Sequence, residues 1–112
     1  MSRDLGTVFD IVEAARRAVR FCANIEVSGF LADEEKRWAV VSQIAIIGEA
    51  AGRLSEPFRD QQSDIPWREI IGMRNRLIHG YDEINWERVW NTVEKDLPNL
   101  IVRLEPLLPE SS

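Results

Sequence analysis

The residues best equipped for chemistry lie in one stretch, Met73–Tyr81, which holds the only histidine and the only tyrosine of the 112-residue chain. His79 can take up and release a proton near neutral pH because the unperturbed pKa of imidazole is about 6.5. Arg74 offers a planar, permanently charged set of N–H donors that matches a phosphate group. Asn75 can orient a neighbouring side chain or a ribose hydroxyl. These groups are the minimum for metal-free cleavage of an RNA phosphodiester, in which a base deprotonates the 2′-hydroxyl, a cation stabilises the charged phosphorane-like state and an acid protonates the leaving 5′-oxygen.

The spacing of these residues raises a difficulty that a dimer would remove. General acid and general base are two roles, yet the chain has one histidine, and two copies in a symmetric homodimer would supply two. On a helix that turns by about 100° per residue, Asn75 and His79 share a face, whereas Arg74 lies roughly 140° from His79. We therefore expect either a loosened last helical turn before Gly80 or a two-fold axis beside the motif to bring Arg74 and His79 to one cleft. The single histidine and this angle together point to a composite site at an interface.

The net charge of −5 argues against a protein that coats nucleic acid along its length, because such proteins are broadly basic. Residues 66–81 reverse this balance with three arginines and one acid, Glu69, which favours a confined phosphate site over an extended groove. The single cysteine, Cys22, cannot form an internal disulfide and is expected to be buried and inert, as suits a reducing cytoplasm. No Cys/His cluster indicates a metal site, and no apolar run or basic leader indicates a membrane span or a signal peptide.

The scaffold is predicted from apolar positions that recur every three or four residues in four segments. The pattern predicts helices over about 4–25, 34–54, 66–79 and 86–104. Asp33 and Asn85 are the expected N-caps, and Gly80 is the expected stop of the third helix. Ser28-Gly29 is expected to break the chain after the first helix, and residues 55–64 form a polar loop.

Two further features concern the fourth helix of this scaffold and its second helix. Pro98 lies inside the fourth pattern and predicts a kink near residues 96–97 or a split into two pieces. The second helix is apolar almost all round from Trp38 to Ala51, which indicates burial on more than one side and, in so small a domain, a partner subunit.

We predict an all-α fold, an up-down four-helix bundle, with one domain over residues 1–108 and a frayed tail over 109–112. The four tryptophans lie on helix stripes and are interpreted as core or interface residues rather than base-stacking platforms.

The order Arg74, four residues, His79, one residue, Tyr81 resembles the signature of the HEPN superfamily. The blocks around it are similar to those of the HepT branch of that superfamily, at residues 46–55, 65–75, 77–81, 89–90 and 94–98. The resemblance therefore covers nearly the whole chain. A bare Arg-to-His spacing is an unspecific signal, whereas its combination with these flanking blocks is specific.

The resemblance implies a function that composition and spacing do not. HepT-like proteins are metal-independent ribonuclease toxins of prokaryotic toxin–antitoxin pairs, and they are dimers whose Arg/His motifs face each other. Their antitoxin is a small nucleotidyltransferase, MntA-like, that transfers AMP from ATP to the tyrosine of the motif. By this resemblance Arg74 and His79 would be catalytic, Tyr81 would be the modified residue, and no cofactor or metal would be needed.

Each candidate residue also has a structural alternative. His79 would stabilise a helix C-terminus through the helix dipole, and Arg74 would be a surface arginine. Asn75 would make a helix-terminal hydrogen bond, and Arg76 would be solvated or a secondary contact to the RNA backbone. Glu49, a carboxylate in an apolar turn, would snorkel or face a loop, or would hold Arg74 or His79 through a charge-assisted hydrogen bond.

Three interpretations of the whole chain remain open at this point. In the first, the chain is the ribonuclease toxin described above. In the second, it is a non-catalytic partner of a nucleotidyltransferase whose arginines bind nucleotide or RNA phosphates without turnover. In the third, it is a purely structural dimerisation module, and Tyr81 is a packing residue with its hydroxyl in water.

Overall fold

The computed structural model describes residues 3–109, apart from the side chain of Tyr81, and within these residues it contains helices and no strand. The helices are α1 (Arg3–Phe21), α2 (Val27–Ala32), α3 (Glu34–Arg53), α4 (Glu56–Gln61), α5 (Trp67–His79), α6 (Trp86–Asn91) and α7 (Leu97–Leu104). A π-helical segment, Thr92–Asp96, joins α6 to α7, and single 3₁₀ turns cover Tyr81–Glu83 and Glu105–Leu107. The all-α prediction is confirmed. The predicted tail stays a prediction, because beyond Pro109 it lies outside the described residues.

The expected helix boundaries are confirmed where a side chain caps the helix. Asp33 accepts a hydrogen bond from the backbone N–H of Lys36 at 3.0 Å and begins α3. Asn85 accepts one from the backbone N–H of Arg88 at 3.1 Å and begins α6. Gly80 ends α5. These boundaries were predictable because a capping side chain acts on backbone groups two or three residues away.

The segment after α1 differs from the prediction. Helix α1 ends at Phe21 rather than near Ile25, and Ser28-Gly29 lies inside the short helix α2 instead of breaking the chain. The fully buried Phe30 explains this difference, since its ring packs against that of Trp90 with 5.4 Å between the ring centroids. A buried aromatic contact of this kind outweighs the weak local preference of serine and glycine against a helix.

The expected polar loop over residues 55–64 contains a further helix, α4. Ser55 caps it by accepting a hydrogen bond from the backbone N–H of Phe58 at 3.3 Å, and the ring of Phe58 packs near Trp67. The carboxylate of Asp4 accepts hydrogen bonds from the hydroxyl of Ser55 at 2.6 Å and from its backbone N–H at 3.0 Å. These two hydrogen bonds lower the pKa of Asp4. They join the start of α1 to the start of α4.

The predicted irregularity before Pro98 is confirmed as a π-helical segment between α6 and α7. The backbone N–H of Leu97 donates to the carbonyl of Thr92, five residues earlier, which is the hydrogen bond of a π-helix. Pro98 has no N–H to continue a regular ladder, so the wider π turn accommodates it within a helix that continues to Leu104.

Helix α3 is the central helix of the bundle. It packs against α1 on one side and α5 on the other, and α7 packs against α1. The largest fully buried side chains come from α1, α2, α3 and α7: Val8, Ile11, Val12, Phe30, Val40 and Leu104. The expected burial of α3 on more than one side is therefore confirmed. Two large apolar residues of α3 remain substantially exposed, Trp38 at 41% and Ile46 at 40%.

Trp67 takes the expected core position, and an interface role for the exposed Trp38 stays a prediction. Trp67 is buried, and its indole N–H donates to the carbonyl of Gln62 at 3.1 Å. Trp86 meets the exposed Trp38 edge to face, with 5.2 Å between the ring centroids. Trp90 is half-buried against α2. Each indole thus has an intramolecular partner.

Cys22 is buried, and burial raises the pKa of its thiol. The thiol is therefore protonated at neutral pH, when it is a poor nucleophile, which agrees with the expected inert cysteine. Within residues 3–109 no helix combines the length and the apolar character that a membrane span requires.

Candidate active site

Arg74 lies at an unusually close crossing of α3 and α5, opposite Gly48. A Cβ atom placed on Gly48 would lie 2.2 Å from the Cβ and 3.0 Å from the Cγ of Arg74. The same atom would lie 3.2 Å from the carbonyl oxygen of Ile70. No residue with a side chain fits at this crossing without moving α5. Gly48 was not predicted to matter, although a glycine within an otherwise apolar helix is the type of signal that marks close packing.

The guanidinium of the half-buried Arg74 is only partly satisfied. Its Nη1 donates to the Oδ1 of Asn75 at 3.2 Å, whereas its buried Nε has no hydrogen-bond partner among the described residues. No carboxylate in that part of the chain pairs with Arg74. An unsatisfied buried donor costs about 1–3 kcal/mol, so an anion that accepted from Arg74 would remove a cost that the free protein bears.

His79 is the last residue of α5 and is exposed. The backbone N–H of Gly80 donates to the carbonyl of Arg76 at 2.8 Å, so the helix keeps its α-type hydrogen bond to the end. The loosened last turn, one of the two arrangements expected to bring Arg74 and His79 together, is therefore absent. The other expected arrangement, a two-fold axis beside the motif, stays a prediction.

A groove of about 620 Å³ lies between the C-terminal half of α5 and the start of α6, and we call it the α5–α6 groove. It is lined by Met73, Asn75, Arg76, Leu77, His79, Gly80, Glu83, Ile84, Asn85, Arg88 and Val89. Buried aliphatic side chains form its base, and exposed polar ones form its rim. Arg74 does not line it. One chain thus places Arg74 at the α3–α5 crossing and His79 on another face of α5, as their spacing on a regular helix predicts.

Glu49 pairs within its own helix, and its suggested supporting role stays a prediction. The exposed carboxylate pairs with Arg53 on the same helix, with 3.5 Å between Oε1 and Nη1, and makes no described hydrogen bond to Arg74 or His79. The reason is helical geometry, because Glu49 follows Gly48 and is rotated by about 100° from the face that meets α5. Within one chain, the proposed charge-assisted hydrogen bond from Glu49 is absent.

Two further arginines, Arg76 and Arg88, lie on the rim of the α5–α6 groove and are exposed. Neither forms an ion pair with a described residue. Arg88 was not singled out by the sequence, because its place depends on how the first turn of α6 packs beside α5. The only local sign was the cap residue Asn85, which sets where that turn begins.

Tyr81 begins the 3₁₀ turn directly after Gly80, two residues beyond His79. Its side chain lies outside the described part of the structure. The exposure of its hydroxyl, which any modification requires, therefore stays a prediction.

Gly48→Ala tests the close crossing. The added methyl group is expected to lower the free energy of unfolding by about 1–3 kcal/mol, because it overpacks the contact with Arg74. The matched control is Gly52→Ala on the same helix, where an added Cβ would meet nothing within 4 Å. That variant should gain about 0.5–1 kcal/mol from the better helix propensity of alanine. Urea unfolding measures both, and equal stabilisation of the two variants would contradict the crossing.

The fold and the site together define the class of protein. It is an all-α domain in which α5 carries an arginine at its buried crossing with α3 and a histidine at its exposed end. The family model described as "Ribonuclease HepT-like" matches residues 11–107. The chain therefore belongs to the HepT-like ribonuclease family, and the resemblance of its motifs is confirmed.

Relatives agree with this membership. The chain is 34% identical over 98 residues to a Methanocaldococcus jannaschii protein that carries RNase in its name, covering 88% of this chain and 90% of the relative. It is 37% identical over 98 residues to a Thermococcus cleftensis protein named probable ribonuclease HepT, covering 88% and 89%. It is 38% identical over 84 residues to an RNase-named protein of Caldanaerobacter subterraneus, covering 75% of each chain. No solved structure matches the chain at a significant level.

Proposed function

We propose that this chain is the toxin of a toxin–antitoxin pair, a cytoplasmic, homodimeric endoribonuclease that cleaves RNA without a metal ion. The observation that carries the proposal is the separation of Arg74 and His79 on one helix of a chain from a ribonuclease family. Both side chains can bind a ligand, since Arg74 has an unsatisfied buried donor and His79 is exposed. A second copy would bring the two halves of the site together.

In this mechanism the His79 of one subunit takes the proton from the RNA 2′-hydroxyl, and the oxygen attacks the adjacent phosphorus. The His79 of the other subunit gives a proton to the 5′-oxygen as its bond to phosphorus breaks. Arg74 binds the non-bridging oxygens, where negative charge develops, and Asn75 holds the guanidinium. The products are a 2′,3′-cyclic phosphate and a 5′-hydroxyl.

An exposed apolar residue of α5 supports a dimer on the side of Arg74. Ile78 is 42% exposed and lies one helical turn after Arg74, on the same face of the helix. Burial of such side chains against a second copy is favourable at about 25 cal/mol per Å² of apolar surface. A two-fold axis near Ile78 would place the two copies of Arg74 and His79 in one cleft.

The proposed reaction is tested by digestion of RNA with the purified protein in EDTA. Cleavage should continue in EDTA, and the fragments should carry 2′,3′-cyclic phosphate and 5′-hydroxyl ends. A nuclease that needs Mg²⁺ serves as the control for chelation. Loss of cleavage in EDTA, or fragments with 3′-hydroxyl and 5′-phosphate ends, would contradict the mechanism.

We also propose that a cognate MntA-like nucleotidyltransferase antitoxin silences the chain through Tyr81. The phenolic oxygen attacks the α-phosphorus of ATP, pyrophosphate leaves, and the phenolic proton passes to solvent. The AMP group adds negative charge and bulk two residues from His79, beside a rim that carries Arg76 and Arg88. It would occupy the basic site and compete with RNA.

Tyr81→Phe is expected to remain toxic when the antitoxin is coexpressed, whereas the wild-type chain is neutralised. Intact mass spectrometry should find AMP on the wild-type chain and none on the variant. A variant that is neutralised as well as wild type, together with an unmodified wild-type chain, would remove Tyr81 from the mechanism.

A second candidate is a non-catalytic nucleotide- or RNA-binding subunit of a minimal nucleotidyltransferase. The unpaired Arg76 and Arg88 favour it, because they offer phosphate contacts that need no catalysis. Saturable nucleotide binding without RNA cleavage at high protein concentration would favour this candidate over the first.

A further inference from the structure

We propose that the α5–α6 groove binds the nucleotide next to the cleaved bond and that Arg88 holds the phosphate on the far side of that nucleotide. The proposal rests on the proposed ribonuclease function and adds a binding residue outside the Arg74–His79 motif. Arg88 lies on α6, nine residues after His79, so only the packing of α6 beside α5 brings it to the groove.

The first argument is charge. Arg16, Arg53 and Arg103, outside the groove, each pair with a carboxylate. Arg76 and Arg88, on the rim of the groove, form no ion pair with a described residue, and the same is true of the exposed Arg20 and Arg68 elsewhere. The groove is lined by two arginines and one glutamate, so its net charge is positive even when the imidazole is counted as neutral. The groove is thus complementary to an anion.

The second argument is shape and surface. A volume of about 620 Å³ lies in the range of about 300–1,000 Å³ found for small-molecule sites, which is sufficient for a base and its ribose. Buried Leu77 and Val89 give the groove an aliphatic base, against which the apolar face of a nucleobase can pack. The exposed amides of Asn75 and Asn85 on the rim can donate to or accept from base edges and ribose hydroxyls.

The third argument is position. His79 lines the same groove, so whatever occupies the groove lies beside the proposed acid or base. The backbone N–H of Arg88 donates to Asn85, which fixes the start of α6 while the guanidinium remains exposed. Glu83, on the turn after Gly80, would repel a phosphate and accept from a base or ribose donor instead. These placements orient a nucleotide with its phosphate towards Arg88.

The test is binding of a short, fluorescent 2′-O-methyl RNA, which lacks the attacking hydroxyl, followed by anisotropy at several salt concentrations. Arg88→Ala should weaken binding about tenfold and reduce the salt slope by about 0.7, the value for one phosphate contact to a single strand. Arg88→Lys should recover part of the loss because it keeps the charge. The control is Arg20→Ala, an exposed arginine on α1 outside the groove, which should bind as wild type.

A second measurement locates the contact. Replacing one phosphate at a time by a neutral methylphosphonate should weaken wild-type binding at the cleaved linkage, which Arg74 contacts, and at the linkage one nucleotide away. The replacement one nucleotide away should cost Arg88→Ala nothing further, because its contact is already gone. In cleavage assays with ordinary RNA, Arg88→Ala should raise KM and leave kcat within about threefold, as expected for binding that is equal in ground and transition states.

The outcomes separate the two proposals. If wild type cleaves RNA and Arg88→Ala binds and cleaves as wild type, the nucleotide subsite is wrong and the proposed function stands. If wild type binds the RNA with the expected dependence on Arg88 but does not cleave ordinary RNA, the subsite stands and the ribonuclease function is wrong. If Arg88→Ala loses only the antitoxin and keeps RNA, the groove is a protein interface and the subsite is overturned.

Discussion

Replacing His79 by alanine is expected to lower the rate of RNA cleavage by about a thousandfold or more, while folding and RNA binding are retained. In a homodimer the single substitution removes both imidazoles, and general acid–base catalysis contributes about 10²–10⁴-fold for each step. The residue is exposed at the last position of α5 and contributes nothing to the buried core. The stability of the variant should therefore change little, as is usual for surface positions.

Initial rates at saturating RNA in EDTA, together with thermal unfolding, measure this prediction. The control is Glu69→Ala, which changes an exposed charge in the first turn of the same helix and should leave cleavage unchanged. A His79→Ala protein that cleaves within about tenfold of wild type would leave the histidine only its helix-terminal role.

The long helices and their caps were predictable from the sequence, because their signals are local. Apolar residues at helical spacing mark the buried face, and Asp33 and Asn85 act on backbone groups within the next turn. The two short helices α2 and α4 were not predicted. Their stability depends on contacts with distant parts of the chain, such as that of Phe30 with Trp90, which no short window of sequence contains.

Some features of the candidate site could likewise be predicted from local sequence, and others could not. The types of Arg74 and His79 and their angle on a helix were readable from their spacing, and the structure keeps them apart as that angle requires. The contact of Gly48 with Arg74 and the place of Arg88 depend on how helices pack together. Whether Glu49 acts as a partner for these residues depends on packing in the same way, and it stays a prediction. Its apolar surroundings in sequence did not tell which face of α3 it occupies.

A mixed dimer of one wild-type subunit and one His79→Ala subunit is expected to be almost as inactive as the dimer of two variant subunits. If one site uses the two imidazoles as base and acid, removal of either leaves water to do its work, at a loss of about 10²–10⁴-fold. If each subunit carried a complete site of its own, the mixed dimer would keep half of the wild-type rate. The two arrangements therefore differ by a factor of about fifty or more.

The mixed dimer is prepared by coexpression of two differently tagged chains and tandem affinity purification. Native mass spectrometry confirms its composition before and after the assay, so that exchange of subunits does not regenerate wild-type dimers. A mixed dimer of wild type and Glu69→Ala, purified in the same way, is the control and should keep the full rate. Any effect of the tags or of the purification on the rate is then the same in both mixed dimers.

The most direct test of the composite site is the initial rate of RNA cleavage by the wild-type/His79→Ala dimer, relative to the wild-type dimer in the same buffer. A composite site that needs both copies of His79 predicts about one hundredth of the wild-type rate or less. A rate near one half of wild type would contradict it, because each chain would then carry out the reaction with its own histidine alone.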